Sequence, residues 1–219
     1  DMARAIPIIM GSITQNCGQV CSAGSRLLVQ ESIRPRVVEA LAERMSKLRI
    51  GHGLEDPDLG PLISERQHQR VLSYLKIGKE EGARVVIGGG IPRDERLSRG
   101  FFVQPTIFDN VDRQMRVALE EMFGPVLSVI PFKDIGQALE IANGTEYGLV
   151  AAVWTQDIQK AHWLASHIRA GQVYVNTYSV GNGAELPFGG FKKSGFGREK
   201  GLEALNSYTQ VKTVGVYIG

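Results

Sequence analysis

Residues 126–175 read VLSVIPFKDIGQALEIANGTEYGLVAAVWTQDIQKAHWLASHIRAGQVYV, three apolar runs separated by two helical stretches. Val126–Phe132 is a strongly β run that follows the break at Gly124-Pro125. Asp134 can cap a helix over residues 135–143, and Gly144 can close it. Val150–Trp154 reads as a second strand, residues 157–169 as a second helix and Gln172–Val175 as a third strand. Parallel strands need a long crossover, and helices between strands supply it. The alternation therefore predicts an α/β fold with a mostly parallel sheet flanked by helices.

The same alternation extends toward the N-terminus. Residues 1–15 predict a helix with few charges, and Leu27–Val29 a short buried strand. Pro35 suits the first turn of a helix, and Val37, Val38, Leu41, Met45 and Leu48 recur at spacings of three and four. Gly51, Gly53 and Pro57 end that helix. Ser64 with Gln67 makes a capping-box pattern for a helix to about Lys79. Ala83–Ile87 reads as a strand stopped by Gly88-Gly89-Gly90, residues 91–100 as a loop, and Phe101–Val103 and Thr106–Phe108 as short strands around Pro105. At the other end Lys200–Tyr208 reads as helical. Val214, Val216 and Ile218 alternate within Val211–Ile218, which predicts a terminal edge strand able to pair with another chain.

Composition narrows the class. Of 219 residues 43% are apolar and 22% charged, an ordinary balance for one large globular domain or one with a small appendage. No apolar run reaches the roughly 18–20 residues of a membrane helix, so no membrane association is expected. A net charge of +2 gives no bulk attraction to nucleic acid. Two cysteines exclude a disulfide scaffold and suit a reducing cytosol, so a cytoplasmic location is expected. The chain opens Asp1-Met2-Ala3-Arg4, without a secretory pattern, and its lack of an initial Met reads as a fragment or a processed product. Seven of the 21 residues from Gly181 to Gly201 are glycine, which predicts a loop of tight turns or close backbone approach.

Three segments could carry chemistry. Cys21 could supply a thiolate nucleophile, with Gly18 and Gly24 permitting a tight path that aims its amide at a developing oxyanion. The plain alternative is a small buried hydrophobe. Cys17 stands four residues earlier, but Gly18 argues against a continuous helix joining them. Cysteines without a nearby His make a poor metal site, so no metal is expected. His52, His68, His162 and His167 are scattered and read as surface or packing residues. Glu120-Glu121-Met122-Phe123-Gly124-Pro125 could place a polar contact beside a flat apolar surface, or could be a charged helix end followed by a turn. Pro187 to Glu199 carries Gly195-Phe196-Gly197, whose spacing does not match a dinucleotide fingerprint.

Taken together and in this order, the segments resemble the aldehyde dehydrogenase superfamily. Its catalytic signature, Asn-x-Gly-Gln-x-Cys, appears as Asn16-Cys17-Gly18-Gln19-Val20-Cys21, with Arg26 shortly after. Its Glu-x-Phe-Gly-Pro motif appears as Glu121 to Pro125, and its Pro-Phe-Gly-Gly-x-Lys-x-Ser-Gly motif as Pro187 to Gly195. Gly60-Pro61-Leu62, Gln104-Pro105-Thr106 and Gly171 to Asn176 also look like family landmarks, so the similarity spans essentially the whole chain.

The resemblance implies that Cys21 attacks an aldehyde to give a thiohemiacetal, that hydride passes to NAD or NADP, and that water hydrolyses the thioester. It implies the Cys21 N–H as an oxyanion donor, Glu121 on the nicotinamide ribose, Phe123 beside the nicotinamide, and Asn176 and Phe188 in the substrate pocket. It further implies a catalytic domain over residues 1–205 and a C-terminal oligomerisation segment over 206–219, which would make the parent a homo-oligomer. The family's dinucleotide-binding domain, its oxyanion-hole Asn and its general-base Glu have no counterpart in residues 1–219, and no motif promotes Glu120, Glu121 or Glu185 to the base. The chain is accordingly expected to lack appreciable NAD-dependent turnover alone. A non-catalytic remnant or assembly module of the same fold is the alternative. A CoA-acylating dehydrogenase fits the Gly-Gln-x-Cys and Pro-Phe-Gly-Gly-x-Lys motifs less well than a hydrolytic member.

Overall fold

The computed structural model describes residues 1–178 and 184–219; Gly181 and Gly183 of the predicted glycine-rich loop lie outside the described residues. In chain order the elements are α1 (Met2–Thr14), β1 (Arg26–Gln30), α2 (Arg34–Met45), α3 (Glu65–Glu80), β2 (Arg84–Ile87), β3 (Thr106–Asp109) and a single turn α4 (Arg116–Leu119). Then follow β4 (Val126–Phe132), α5 (Ile135–Asn143), β5 (Val150–Val153), α6 (Ile158–His167), β6 (Gln172–Val175) and a single turn α7 (Leu205–Tyr208). Four strands form a sheet of order β1-β4-β3-β2, with β4 parallel to both neighbours and β2 antiparallel to β3. β5 and β6 form a second, parallel pair. The mostly parallel α/β architecture matches the one predicted from residues 126–175.

Period-two side-chain direction explains why β4 is apolar on consecutive positions. Leu127 and Val129 face one side, where Ile9 and Ile13 of α1 and Leu41 and Met45 of α2 cover them. Val126 and Ile130 face the other, where Val71, Tyr74 and Leu75 of α3 pack. Pro131 cannot donate to a ladder. It stands beyond Ser128, the last β4 residue paired with β3, so the missing N–H breaks no bond on that side. The caps follow the sequence pattern: Gln67 N–H donates to Ser64 Oγ at 3.3 Å, and Gln137 N–H to Asp134 Oδ1 at 2.9 Å.

One expectation is corrected and one helical reading is refined. Phe101–Val103 is not a strand; its carbonyls meet Leu62 N–H at 2.9 Å from Phe101 O and the His68 ring of α3 at 3.1 Å from Phe102 O. Phe102 and Val103 are buried as loop anchors instead, so their apolar character reflected burial and not pairing. Residues 200–208 hold a 3-10 turn at Leu202–Ala204 before α7. Val211–Ile218 forms no strand within this chain, and Val211, Val216 and Ile218 are exposed; the pairing expected of that segment is with another chain. A strand exists only when its N–H and C=O groups meet a neighbour, and among the described residues no strand pairs with that segment. Among the described residues no helix is long and apolar enough to cross a membrane.

Candidate active site

Cys21 is placed by a turn built largely from left-handed residues. After α1 the chain passes through a 3-10 turn at Gln15–Gly18, in which Asn16 (φ 49°), Cys17 (φ 55°) and Gly18 (φ 70°) all have positive φ. Such a conformation costs about 1–2 kcal/mol for a residue with a Cβ, so neighbours must hold it. Asn16 Nδ2 donates to Gln19 O at 3.0 Å, Gln19 Nε2 returns a bond to Asn16 O at 3.3 Å, and Gln19 Oε1 accepts from Ile63 N at 3.0 Å. Cys17 Sγ donates to Gly60 O at 3.1 Å, and burial pushes its thiol pKa up. The two cysteines therefore part: Cys17 is buried and Cys21 is exposed. No continuous helix joins them, as Gly18 suggested: α1 ends at Thr14 and the left-handed run begins at Asn16.

The same glycine joins the first motif to the second. A Cβ on Gly18 would overlap the carbonyl of Gly124 and lie 2.7 Å from Pro125 N, so the Gly-Gln turn rests directly on the Phe123-Gly124-Pro125 backbone. α3 holds that backbone from beneath. Gln67 Nε2 donates to Phe123 O at 2.7 Å and Met122 O at 3.1 Å, and Arg70 donates to Glu121 O. Phe123 itself sits at φ 58°.

Glu120 is fully committed. Its carboxylate accepts from Arg116 Nε at 2.8 Å, Arg116 Nη2 at 3.0 Å and the Tyr74 hydroxyl at 2.6 Å. The Arg116 guanidinium and then the Tyr74 hydroxyl hold its pKa down at about 2. A group this acidic makes a poor general base at neutral pH. Because the folded pKa lies below the usual carboxylate value of about 4.3, the stabilisation is present above that value and is lost as pH falls toward 2. Glu120→Gln is expected to narrow the gap between urea midpoints measured at pH 7 and at pH 3. Solvent screening of this half-exposed pair keeps the effect modest.

A cavity of about 370 Å³ brings Cys21, Glu121 and Phe123 together, along with Gly18, Arg26 and Tyr178. Among the described residues the Cys21 N–H donates to no backbone carbonyl. Arg26 donates through Nη2 to Ile141 O at 2.7 Å, its buried Nε has no partner among the described residues, and burial lowers its pKa to about 10. Tyr178, which no motif singled out, donates its hydroxyl to Ser22 O at 2.6 Å across 156 positions of sequence. A contact that distant leaves no local signal.

Asn176 and Phe188 stand apart from the described lining of this cavity. Asn176 clasps the backbone of Thr155, accepting from its N–H at 3.0 Å and donating to its carbonyl at 2.8 Å. Phe188 exchanges both backbone hydrogen bonds with Glu199 at 2.7 Å. The rest of the third motif is a clip on the α5–β5 loop. Lys192 Nζ donates to Asn143 O and Thr145 O at 2.8 and 2.9 Å, and the Ser194 hydroxyl accepts from Gly148 N at 2.9 Å. Lysine suits that first role because it offers several donors to converging carbonyls. Glu185 is exposed.

Among the described residues no three His, Cys, Asp or Glu side chains are grouped to hold a metal ion. Comparison with known proteins gives a consistent result. The model of the aldehyde dehydrogenase family matches residues 1–214. Betaine aldehyde dehydrogenase of Brucella melitensis is 44% identical over 220 residues, covering 100% of this chain and 45% of that protein. The crystal structure of HpcC from Thermus thermophilus superposes with a TM-score of 0.94 at 45% identity, over 98% of this chain and 42% of that one. Betaine aldehyde dehydrogenase from Staphylococcus aureus, in complex with NAD+, gives a TM-score of 0.91 at 40% identity, over 95% and 41%. The chain spans less than half the length of the curated relatives it matches, 43–45% of those compared.

Proposed function

The chain belongs to the aldehyde dehydrogenase family, and from that premise we propose that it is the thiol-bearing half of an NAD(P)-dependent enzyme oxidising an aldehyde to a carboxylic acid. The observation that carries this reading is the placement of Cys21: exposed, on the wall of the cavity that Glu121 and Phe123 also line, with its amide N–H free of backbone partners among the described residues. The Cys21 thiolate attacks the carbonyl carbon. A C–S bond forms, the carbonyl π electrons move to oxygen, and the Cys21 N–H donates to that oxyanion. The residues present fit the nicotinamide end of a cofactor: the Glu121 carboxylate would take the ribose, and the Phe123 ring the nicotinamide face. When bound, that cofactor would supply the hydride acceptor, so that the C–H bond of the Cys21 adduct breaks, its C=O re-forms and a thioester remains on Cys21. Water then cleaves the Cys21 thioester, and the thiolate returns.

Residues 1–205 would form the catalytic domain in a reducing cytosol, with Asn176 and Phe188 shaping the substrate side. Residues 206–219 would pair as a strand across subunits. The dinucleotide-binding domain and the general base would come from the remaining length of the parent polypeptide, so NAD-dependent turnover is not expected of this chain alone. Betaine aldehyde is the first substrate to try with the parent, given the names of its relatives.

The test on this chain uses 4-nitrophenyl acetate, which probes the thiol without cofactor, followed by intact mass and peptide mapping. One acetyl group confined to Cys21 is the expected result. No adduct, or equal labelling of Cys17 and Cys21, would refute the reading and favour a non-catalytic module.

A further inference from the structure

We infer that Tyr178 is a positioning residue for the nucleophile, acting through two peptide planes to fix the Cys21 N–H. The inference rests on the reading of Cys21 as the nucleophile given above. It starts from the Tyr178 hydroxyl, which donates to Ser22 O at 2.6 Å. The Ser22 carbonyl belongs to the same rigid peptide plane as the Ala23 N–H, and that N–H donates to Val20 O at 2.9 Å. Val20 O in turn shares its plane with the Cys21 N–H. In a trans peptide the C=O and N–H point in opposite directions. Fixing Val20 O toward Ala23 therefore turns the Cys21 N–H away from that bond. Each link polarises the next, so a strong donor at the start of the chain stiffens its far end.

Tyr178 is suited to this as a permanent donor. It lines the same cavity as Cys21. Burial, with Tyr174 and Cys21 nearby, pushes its phenol pKa well above the ordinary value, so the hydroxyl stays protonated. Its own position is fixed from the third motif. The Tyr174 ring stands 6.5 Å from that of Tyr178, the Tyr174 hydroxyl donates to Gln172 Oε1 at 3.2 Å, and Gln172 Nε2 donates to Pro187 O at 2.9 Å. From the other side Gly24 N–H donates to Ser12 O at 3.0 Å, tying the end of the turn back to α1. The Cys21 turn is thus held by α1 on one side and by the segment after β6 on the other.

The experiment compares two reactions of Cys21 in wild type and Tyr178→Phe, which keeps the ring and removes the donor. Acylation by 4-nitrophenyl acetate develops an oxyanion and needs the aimed N–H. Alkylation by iodoacetamide displaces iodide at carbon and develops none. Tyr178→Phe is expected to slow acylation about tenfold, the kinetic counterpart of one hydrogen bond. Alkylation should change by less than about twofold, and the Tm should stay close to wild type. Acylation at the wild-type rate overturns the inference. So does a parallel fall of both rates, with or without a lower Tm, because that would mark a structural role only. If wild-type Cys21 is not acylated at all, the failure belongs to the functional reading and not to Tyr178.

Discussion

Gly18→Ala is expected to destabilise the fold by about 3 kcal/mol or more and to abolish selective acylation of Cys21. Two costs combine. Alanine at φ 70° is left-handed, which costs about 1–2 kcal/mol. Its Cβ would also occupy the space of the Gly124 carbonyl and stand 2.7 Å from Pro125 N, so overpacking adds roughly 1–3 kcal/mol. Both partners are backbone, and Gly124 cannot retreat because its own Cα lies against the Val71 side chain. The loops must separate, and with them Cys21 leaves Phe123. Urea denaturation and the acetyl map would read the two effects. Gly11→Ala, where an added methyl meets nothing within 4 Å inside α1, is the control and should be neutral or stabilising by up to about 1 kcal/mol. A Gly18→Ala chain with wild-type stability and Cys21 labelling would mean that the two motifs do not rest on each other.

Gly171→Ala should lower the Tm by about 6–12 °C, the equivalent of roughly 3 kcal/mol in a chain of this size. Gly171 immediately precedes β6, and a Cβ there would overlap the Gly189 carbonyl oxygen, with the carbonyl carbon 2.7 Å away. The surrounding contacts leave little room to yield. Gly148 O accepts from both Gly171 N at 3.1 Å and Phe191 N at 2.8 Å. Displacing the third motif frees Lys192 from Asn143 O and Thr145 O and Lys193 from Glu146. Trypsin should consequently cut at Lys192, Lys193 and Arg198 faster in the variant than in wild type under native conditions. Unchanged Tm and cleavage would show that the clip does not depend on this contact.

These predictions concern features of different legibility. Helix starts were readable because a cap is local chemistry: Ser64 and Asp134 each accept from a backbone N–H three residues on. β4 was readable because five consecutive buried positions carry β-branched or apolar residues at all but Ser128. Phe101–Val103 was misread for the converse reason. Its composition suits a strand, but pairing depends on a distant edge that composition does not encode.

The amino-acid order by itself determined the α/β class, the mostly parallel sheet, most helices and the three motifs that carry the family resemblance, because caps, turns and periodicities act within a few residues. Only the tertiary structure decided which motif does what. Gly18 seats the first motif on the second, Glu120 is spent on Arg116 and Tyr74, and Lys192 is a clip on a neighbouring loop. Tyr178 reaches Ser22 from 156 residues away. Each of these is a contact between segments remote in sequence, fixed by how the helices and strands pack, and no local pattern specifies it.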